Sequence, residues 1–325
     1  MKMSLMAARQ HAMLDEALGP LVREALGVPG TIEVLVNPDR YIWHEVHGYE
    51  GMVCLGVHEA QATAAVIRLV ATLNGKSIHA GKPSLDAVLP GGQRFKGFVP
   101  PRAPAPAFCI RAHQAQVLTR DHYVPAVMPA AVWDLLVQAI TDRLNILVVG
   151  GMASGKSTLF NALIRCIPDD IRVVTMEDTA EASVSVPNYL QLYASEDGDL
   201  HEVVKDSFRT AARRILIGEI RDGQTALRTL KVWLGVGGGI ATTHAESARH
   251  ALAYVAHLCR EAQPGLHEAT IGQVVDLVVF LKEVQGQRLV WEVLRVHGWK
   301  DGAYEDEMLF DRRRIGGATE SSRAK

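Results

Sequence analysis

Cysteine is scarce in this chain. The four cysteines, Cys54, Cys109, Cys166 and Cys259, lie far apart and form no C-x-x-C pair. Neither a zinc site nor a disulfide framework is therefore expected, and a reducing compartment fits. An excess of either charge is also missing: 34 Lys and Arg stand against 36 Asp and Glu. No global basic field is left to attract nucleic acid or an anionic membrane. Basic stripes interleaved with aromatic residues are absent, which makes direct nucleic-acid binding unexpected. No apolar run approaches the ~18 residues of a membrane span, and the first residues lack the charged-then-apolar pattern of a signal peptide. A cytoplasmic location is expected, with peripheral attachment at the inner membrane left open.

What is present is a composition that can bury a full core, 48% hydrophobic and 22% charged over 325 residues, a length that suggests about two domains. The first third reads as an α+β unit over residues 1–118. It has an Ala- and Leu-rich helix over Met3–Leu26, a strand pair Thr31–Val36 and Arg40–Val46, and a helix over Glu59–Leu73. Short strands follow at Ser84–Pro90, Arg94–Val99 and Ala107–Arg111. Residues 119–128 read as a linker. From 129 to 300 the pattern alternates. Helices over Ala130–Ile140, Lys156–Cys166, Leu200–Ala212, Gly223–Leu234 and Ala245–Glu261 separate short apolar runs at Asn145–Val149, Arg172–Met176, Ile215–Ile217 and Ile240–Thr243. A strand pair, Val274–Lys282 and Arg288–Val296, closes the domain. Continuous apolar strands between helices imply a parallel sheet covered on both faces, an α/β architecture. Residues 301–325 read as a partly disordered tail.

Gly150-Gly-Met-Ala-Ser-Gly-Lys-Ser157 follows the first of those strands and opens a helix. This is G-x-x-x-x-G-K-S, a phosphate-binding loop in its expected setting. The backbone of Gly150, Gly151, Met152, Ala153, Ser154, Gly155, Lys156, Ser157 and Thr158 would wrap a polyphosphate, with the helix directing its positive end at the anion. Lys156 would reach the β- and γ-phosphates, and the Ser157 hydroxyl would hold Mg²⁺. Ligands of an open parallel sheet sit at the carboxyl ends of its strands. The other strands end in Glu177-Asp178, in Gly218-Glu219-Ile-Arg221-Asp222 and in Thr242-Thr243-His244. Glu219, after an apolar strand, is the candidate on the metal side. Glu177 is the candidate to polarise attacking water, and His244 to sense the γ-phosphate. Among the arginines, Arg94 follows a Gly-Gly turn and Arg111 ends a strand. Arg209 and Arg213 lie four apart on what reads as the polar face of a helix.

Four blocks in order, Gly150–Thr158, Val173–Asp178, Ile215–Asp222 and Gly239–Ala245, resemble the Walker A, Asp box, Walker B and His box of the secretion ATPases. That superfamily powers type II and type IV secretion and pilus assembly. In the first domain, Glu33–Asp39, Leu89–Arg94 and Cys109–Arg111 match as well. The resemblance spans roughly residues 10–300 and is most similar to the conjugal-transfer ATPases of type IV systems. It implies a homohexameric ring working with ATP and Mg²⁺, attached to inner-membrane secretion components. It also implies a PAS-like first domain, a RecA-like P-loop second domain, and nucleotide between the two. By resemblance, Lys156, Ser157 and Thr158 bind phosphate and Mg²⁺, Glu177 and Glu219 take the acidic positions, and His244 takes the His-box position. Arg94 and Arg111 match first-domain arginines that reach the γ-phosphate. Two loops depart from the family pattern. Arg213-Arg214 runs directly into Ile215 without Arg-Pro-Asp, and Leu234–Gly239 lacks Gly-His-Pro. Both loops are expected near the nucleotide. A nucleotide-binding ring subunit with little turnover and a DNA-translocating motor are the alternative readings of the same boxes.

Overall fold

The computed structural model describes residues 2–46, 49, 51–112, 118–178, 181–194 and 200–314. The chain forms two compact units, Met1–Ala115 and Gln116–Lys325.

In the first unit, six antiparallel strands form one sheet in the order β3-β2-β1-β6-β5-β4. The strands are β1 (Thr31–Val36), β2 (Tyr41–Val46), β3 (Val53–Val57), β4 (Ser84–Val88), β5 (Arg94–Phe98) and β6 (Ala107–Arg111). Helices α1 (Lys2–Gly27) and α2 (Ala60–Leu73) supply the other half of its core. Leu14, Leu18 and Val22 of α1 and Val66, Ile67 and Val70 of α2 pack with Val34, Val36, Ile42, Phe95, Phe108 and Ile110. The period of two then sends Glu33, Arg94, Lys96, Cys109 and Arg111 to the other face of the sheet. The helix expected over Met3–Leu26 is broken at Gly19, whose φ is 71°, with Pro20 after it. Proline removes a helical N–H and crowds the preceding turn. Strand β3, whose alternation spans only Val53, Leu55 and Val57, was not expected.

Unit 2 holds an eight-stranded sheet in the order β14-β13-β12-β7-β11-β10-β8-β9. Its parallel part is β7 (Ile146–Gly150), β8 (Val173–Glu177), β9 (Tyr189–Tyr193), β10 (Arg214–Ile220), β11 (Ile240–Thr243) and β12 (Leu277–Val284). β13 (Gln287–Lys300) and β14 (Ala303–Asp311) extend it as an antiparallel hairpin. Both faces are covered, so alternate residues of each strand enter different cores. Leu147, Val149, Val174, Ile215 and Ile217 pack under α7 (Gly223–Gly235) and α8 (Ala248–Ala262). Ile146, Val148, Val173, Leu216 and Ile240 pack under α4 (Ala130–Thr141) and α5 (Lys156–Ile164). This double burial explains why these strands are continuous apolar runs.

Several expectations change here. Residues 119–128 are packed structure: α3 (Arg120–Tyr123) places Tyr123 against Trp133 with ring centroids 5.3 Å apart, and Met128 is fully buried. The expected tail contains strand β14, and Arg312 beyond it donates to Val290 O (3.0 Å) and to Val127 O (2.5 Å). Residues 315–325 lie outside the described residues. The helix expected from Leu200 stops early, as α6 (Leu200–Asp206) followed by a single 3₁₀ turn over Ser207–Arg209. Arg209 and Arg213 therefore do not share a helical face. Helix α9 (Glu268–Val274) and strand β9 are additional.

The two departing loops both lie at the amino ends of parallel strands β10 and β11, whereas the phosphate loop leaves the carboxyl end of β7. In this unit they are on the far side of the sheet from that loop, and they touch each other. Arg214, 1% exposed, donates through Nη2 to Ile140 O (2.5 Å) and through Nη1 to Gly238 O (3.4 Å). Arg143 Nη2 ties Arg213 O (2.8 Å) to Gly237 O (3.2 Å). Burial, helped by the Arg143 charge, pulls Arg214 down to about 10, so it stays charged at neutral pH. Carbonyls in the last turn of α4 offer the negative end of a helix dipole as compensation. Gly238 is required because its φ is +81° and a Cβ would fall 2.8 Å from Arg214 Nη1. Gly238→Ala is expected to cost about 1–3 kcal/mol. Arg214→Ala is expected to cost about 3 kcal/mol or more, since buried carbonyls lose their donors. Urea unfolding of both variants and of the double variant tests this. A double variant costing less than the sum is expected, because the clash needs both groups; strict additivity would show that the two do not press on each other.

Candidate functional site

The ends of β11, β10 and β8 follow one another to one side of the loop after β7, and their chemistry follows from local backbone needs. The loop itself comes first. Gly155 caps α5 with φ +94° and no side-chain acceptor, so the first-turn N–H groups of that helix are not taken by a cap. Ser154 is buried and donates to Gly151 O (2.9 Å), which tightens the turn. Lys156 is 8% exposed and its Nζ donates to Gly150 O (3.0 Å) and Gly151 O (2.7 Å). Burial lowers the Lys156 pKa, opposed by the Glu219 charge. Ser157 is exposed and Thr158 half-buried. Met152, 83% exposed, stands at the loop tip.

β10 carries an irregularity against β11 between Ile217 and Ile220, where three residues of β10 advance against two of β11. Such a bulge re-aims a side chain and frees carbonyls. Here the freed carbonyls are met by β11. Thr242 Oγ1 donates to Gly218 O (2.6 Å) and Thr243 Oγ1 to Ile220 O (2.8 Å). The two threonines, expected among polar phosphate-side groups, thus serve the sheet. Glu219 sits on the bulge. Its Oε1 lies 2.9 Å from His244 Nε2 and its Oε2 2.5 Å from Arg221 Nη2. Arg221 also reaches Asp178 Oδ2 at 3.1 Å. Burial works against the Arg221 charge, but Glu219 and Asp178 outweigh it and hold the pKa above its usual value.

Glu177 ends β8 and is 2% exposed. Its Oε1 accepts from Glu181 N (3.0 Å) and Ala182 N (2.7 Å). The carboxylate lies beside Gly218, where a Cβ would come within 2.9 Å of Glu177 Cγ. The glycine before Glu219 thus leaves room for the Glu177 side chain from the adjacent strand.

The structure therefore gathers Glu177, Glu219 and His244 on consecutive strands β8, β10 and β11 at the phosphate-loop end. Arg94 and Arg111 lie in the first unit, facing each other across β5 and β6. Arg111 also pairs with Glu33 on β1, Nε to Oε1 3.8 Å. Burial raises the Glu33 pKa, with Arg111 opposing it. Sequence reasoning placed Arg221 and Asp178 among the polar strand ends but gave neither a role in the constellation. A signal existed: Glu219 and Arg221 are two apart at a strand end, which puts them on one side of it.

Comparison with known proteins follows the same lines. Residues 52–302 match the family described as Type II/IV secretion system protein. The chain belongs to this family. It is 36% identical over 301 residues to the conjugal transfer protein TrbB of Rhizobium radiobacter, covering 90% of this chain and 92% of that protein. It is 38% identical to a probable TrbB of Sinorhizobium fredii, again covering 90% and 92%. The type IV secretion system protein VirB11 of Bartonella henselae is 29% identical, covering 80% of this chain and 87% of its own. In fold it is similar to the pilus retraction motor PilT with bound ADP (TM-score 0.62, 18% identity, covering 90% and 83%). The Legionella pneumophila ATPase DotB is likewise similar (0.59, 18%, 93% and 81%). The loop carries local backbone strain, since Ala153 holds φ +56°. A Cβ in that region costs about 1–2 kcal/mol. Ala153→Gly is expected to raise stability by up to about 1 kcal/mol, after the entropy that glycine adds to the unfolded chain. Thermal unfolding checks this, and a fall in melting temperature would mean that the methyl group packs usefully.

Proposed function

We propose that this family member is a Mg²⁺-dependent ATPase that drives a type IV secretion or conjugal DNA-transfer apparatus, or assembly of its pilus. It works as a homohexamer in the cytoplasm, docked peripherally on inner-membrane components, with a PAS-like first domain and a RecA-like second domain. The observation that carries the reading is the joining of a phosphate loop to Glu177, Glu219 and His244 on consecutive strand ends. Conjugal transfer is supported by likeness to the TrbB proteins over nine-tenths of the chain. Among the described residues, no helix is long and apolar enough to cross a membrane.

In this reading the loop amides and Lys156 bind the β- and γ-phosphates. Among the described residues no three His, Cys, Asp or Glu gather as a metal cage. The Ser157 hydroxyl and the Glu219 carboxylate are oxygen donors of the kind magnesium takes and would hold it there. Bound Mg²⁺ supplies charge neutralisation at the phosphates. Glu177, fixed by two amides, orients the attacking water, and His244 senses the γ-phosphate beside Glu219. Arg94 and Arg111 supply planar cationic forks suited to a phosphate. Their place side by side on one sheet face supports a shared anionic target. The departing loops sit at the other end of the sheet, which supports turnover over a merely structural ring.

Lys156→Ala is expected to abolish hydrolysis and weaken nucleotide binding, since one charge-assisted contact is worth several kcal/mol here. Glu177→Gln and Glu219→Gln should stop turnover while retaining much ADP affinity. Steady-state ATPase assays with fluorescent-ADP titration check all three, and near-normal turnover of Lys156→Ala would remove the basis of the reading.

For the first unit, Arg94→Ala and Arg111→Ala should each lower ATP hydrolysis by about tenfold, or roughly 1.4 kcal/mol of transition-state stabilisation. ADP affinity should change much less, because ADP lacks the γ-phosphate. Equal losses for ATP turnover and ADP binding would place these arginines on another part of the nucleotide.

A further inference from the structure

The side chains at the strand ends form one chain of contacts across three neighbouring strands. Asp178 follows β8, Arg221 and Glu219 belong to β10 and its end, and His244 follows β11. Arg221 is the link. Its Nε donates to Glu219 Oε2 at 2.6 Å and its Nη2 stands 2.5 Å from the same oxygen. Its Nη1 donates to Asp178 Oδ2 at 3.1 Å. The other carboxylate oxygen of Glu219 meets His244. Glu219 is thus gripped from both sides, and one grip is anchored to the neighbouring strand.

Two magnitudes decide what this arrangement can do. The Arg221 side chain is 50% exposed and that of Asp178 36%. Ion pairs in such settings contribute about 0–1 kcal/mol to stability, so a role in holding the fold together is small. Orientation is different. A guanidinium holds two carboxylates with separate edges of one rigid plane, which an ammonium cannot do. A carboxylate fixed that way loses its freedom to rotate, and a small misplacement of a reacting group costs far more than a surface ion pair stabilises.

We propose that Arg221 is a positioning residue for ATP hydrolysis, using its two edges to lock the Glu219 carboxylate against Asp178. This rests on the ATPase reading above. Arg221 acts through Glu219 and needs no contact with the nucleotide. Asp178 is the fixed post, and β8 and β10 are held in a common frame by their parallel pairing.

The test uses the full chain with Arg221→Ala, Arg221→Lys, Asp178→Asn and the Arg221→Ala/Asp178→Asn double variant. Arg221→Ala is expected to lower kcat by about tenfold or more, with KM for ATP and ADP affinity within about threefold and an unchanged urea midpoint. Arg221→Lys should recover only part of kcat, because it can hold one carboxylate at a time. The double variant should be no slower than Arg221→Ala, since in this proposal Asp178 holds Glu219 through the arginine. A kcat for Arg221→Ala within about twofold of the parent would overturn the proposal. So would a loss of rate matched by a loss of ADP affinity, or full rescue by lysine. A crystal structure of Arg221→Ala reads the Glu219 carboxylate directly. An unmoved carboxylate overturns the proposal whether or not the parent hydrolyses ATP, and a rotated one supports it. A parent chain that binds ADP but never turns over ATP overturns the ATPase reading alone.

Discussion

Everything at the candidate site depends on one constraint, the parallel in-register pairing of β8, β10, β11 and β7. Parallel strands put all their carboxyl ends on one edge, so residues far apart in sequence become neighbours there. Val173 pairs with Arg214, Leu216 with Ile240, and Ile240 with Ile146. From those registers alone, Glu177, Glu219, His244 and the phosphate loop must emerge together. The register in turn is fixed by apolar side chains buried on both faces. A slip by one residue would exchange the contents of the two cores, for example Leu147 and Val149 for Ile146 and Val148.

The amino edge of the same sheet does the complementary work. Asn145 immediately precedes β7, and its side chain donates to Val274 O (2.8 Å) and accepts from Gly239 N (2.8 Å). Its own backbone N–H donates to Asp276 (2.8 Å). Arg214 and Arg143 bind the loops before β10 and β11 on that edge. The Asn145 side-chain and Arg214 contacts are buried, where a lost partner costs about 1–3 kcal/mol. Rigidity is thus concentrated at one end of the strands and reactive groups at the other. The sequence peculiarities before Ile215 and before Ile240 belong to the rigid end. They are one feature, because Arg214 needs the space that Gly238 leaves.

How much of this was legible depended on whether a residue's role is local. The phosphate loop was readable because glycine, lysine and serine at that spacing meet one need of a short segment. Strands β1, β6 and β11 were readable to the residue because their apolar patterns are bounded by turns. In β3 (Val53, Leu55, Val57) and in Tyr189–Tyr193 (Leu190, Leu192) the alternation is too short to stand out alone, and each pairs at an edge its neighbour offers. Strand β14, Glu-rich and half exposed, joins the sheet through β13 in the same way. The bulge at Gly218–Glu219 was invisible, since it is defined by the register against β11, and with it the true work of Thr242 and Thr243. The helix after Leu200 kept its apolar spacing past the point where the backbone tightens into a 3₁₀ turn, a change that periodicity does not report.

The division of energy between core and site has a consequence for how such a protein can vary. The apolar layers on the two faces of the sheet carry the stability, at roughly 25 cal/mol for each Å² of apolar surface removed from water. The ions around Glu219 are partly exposed and contribute little of it. Glu219, Arg221, Asp178 and His244 can therefore be exchanged at small cost to folding, and only function holds them in place. The opposite holds for Arg214. It is remote from the phosphate loop, yet it is fully buried, and its loss would take a charged donor from the Ile140 and Gly238 carbonyls. Of two arginines at opposite ends of one strand, the exposed one is tuned to chemistry and the buried one to structure, and burial alone tells them apart.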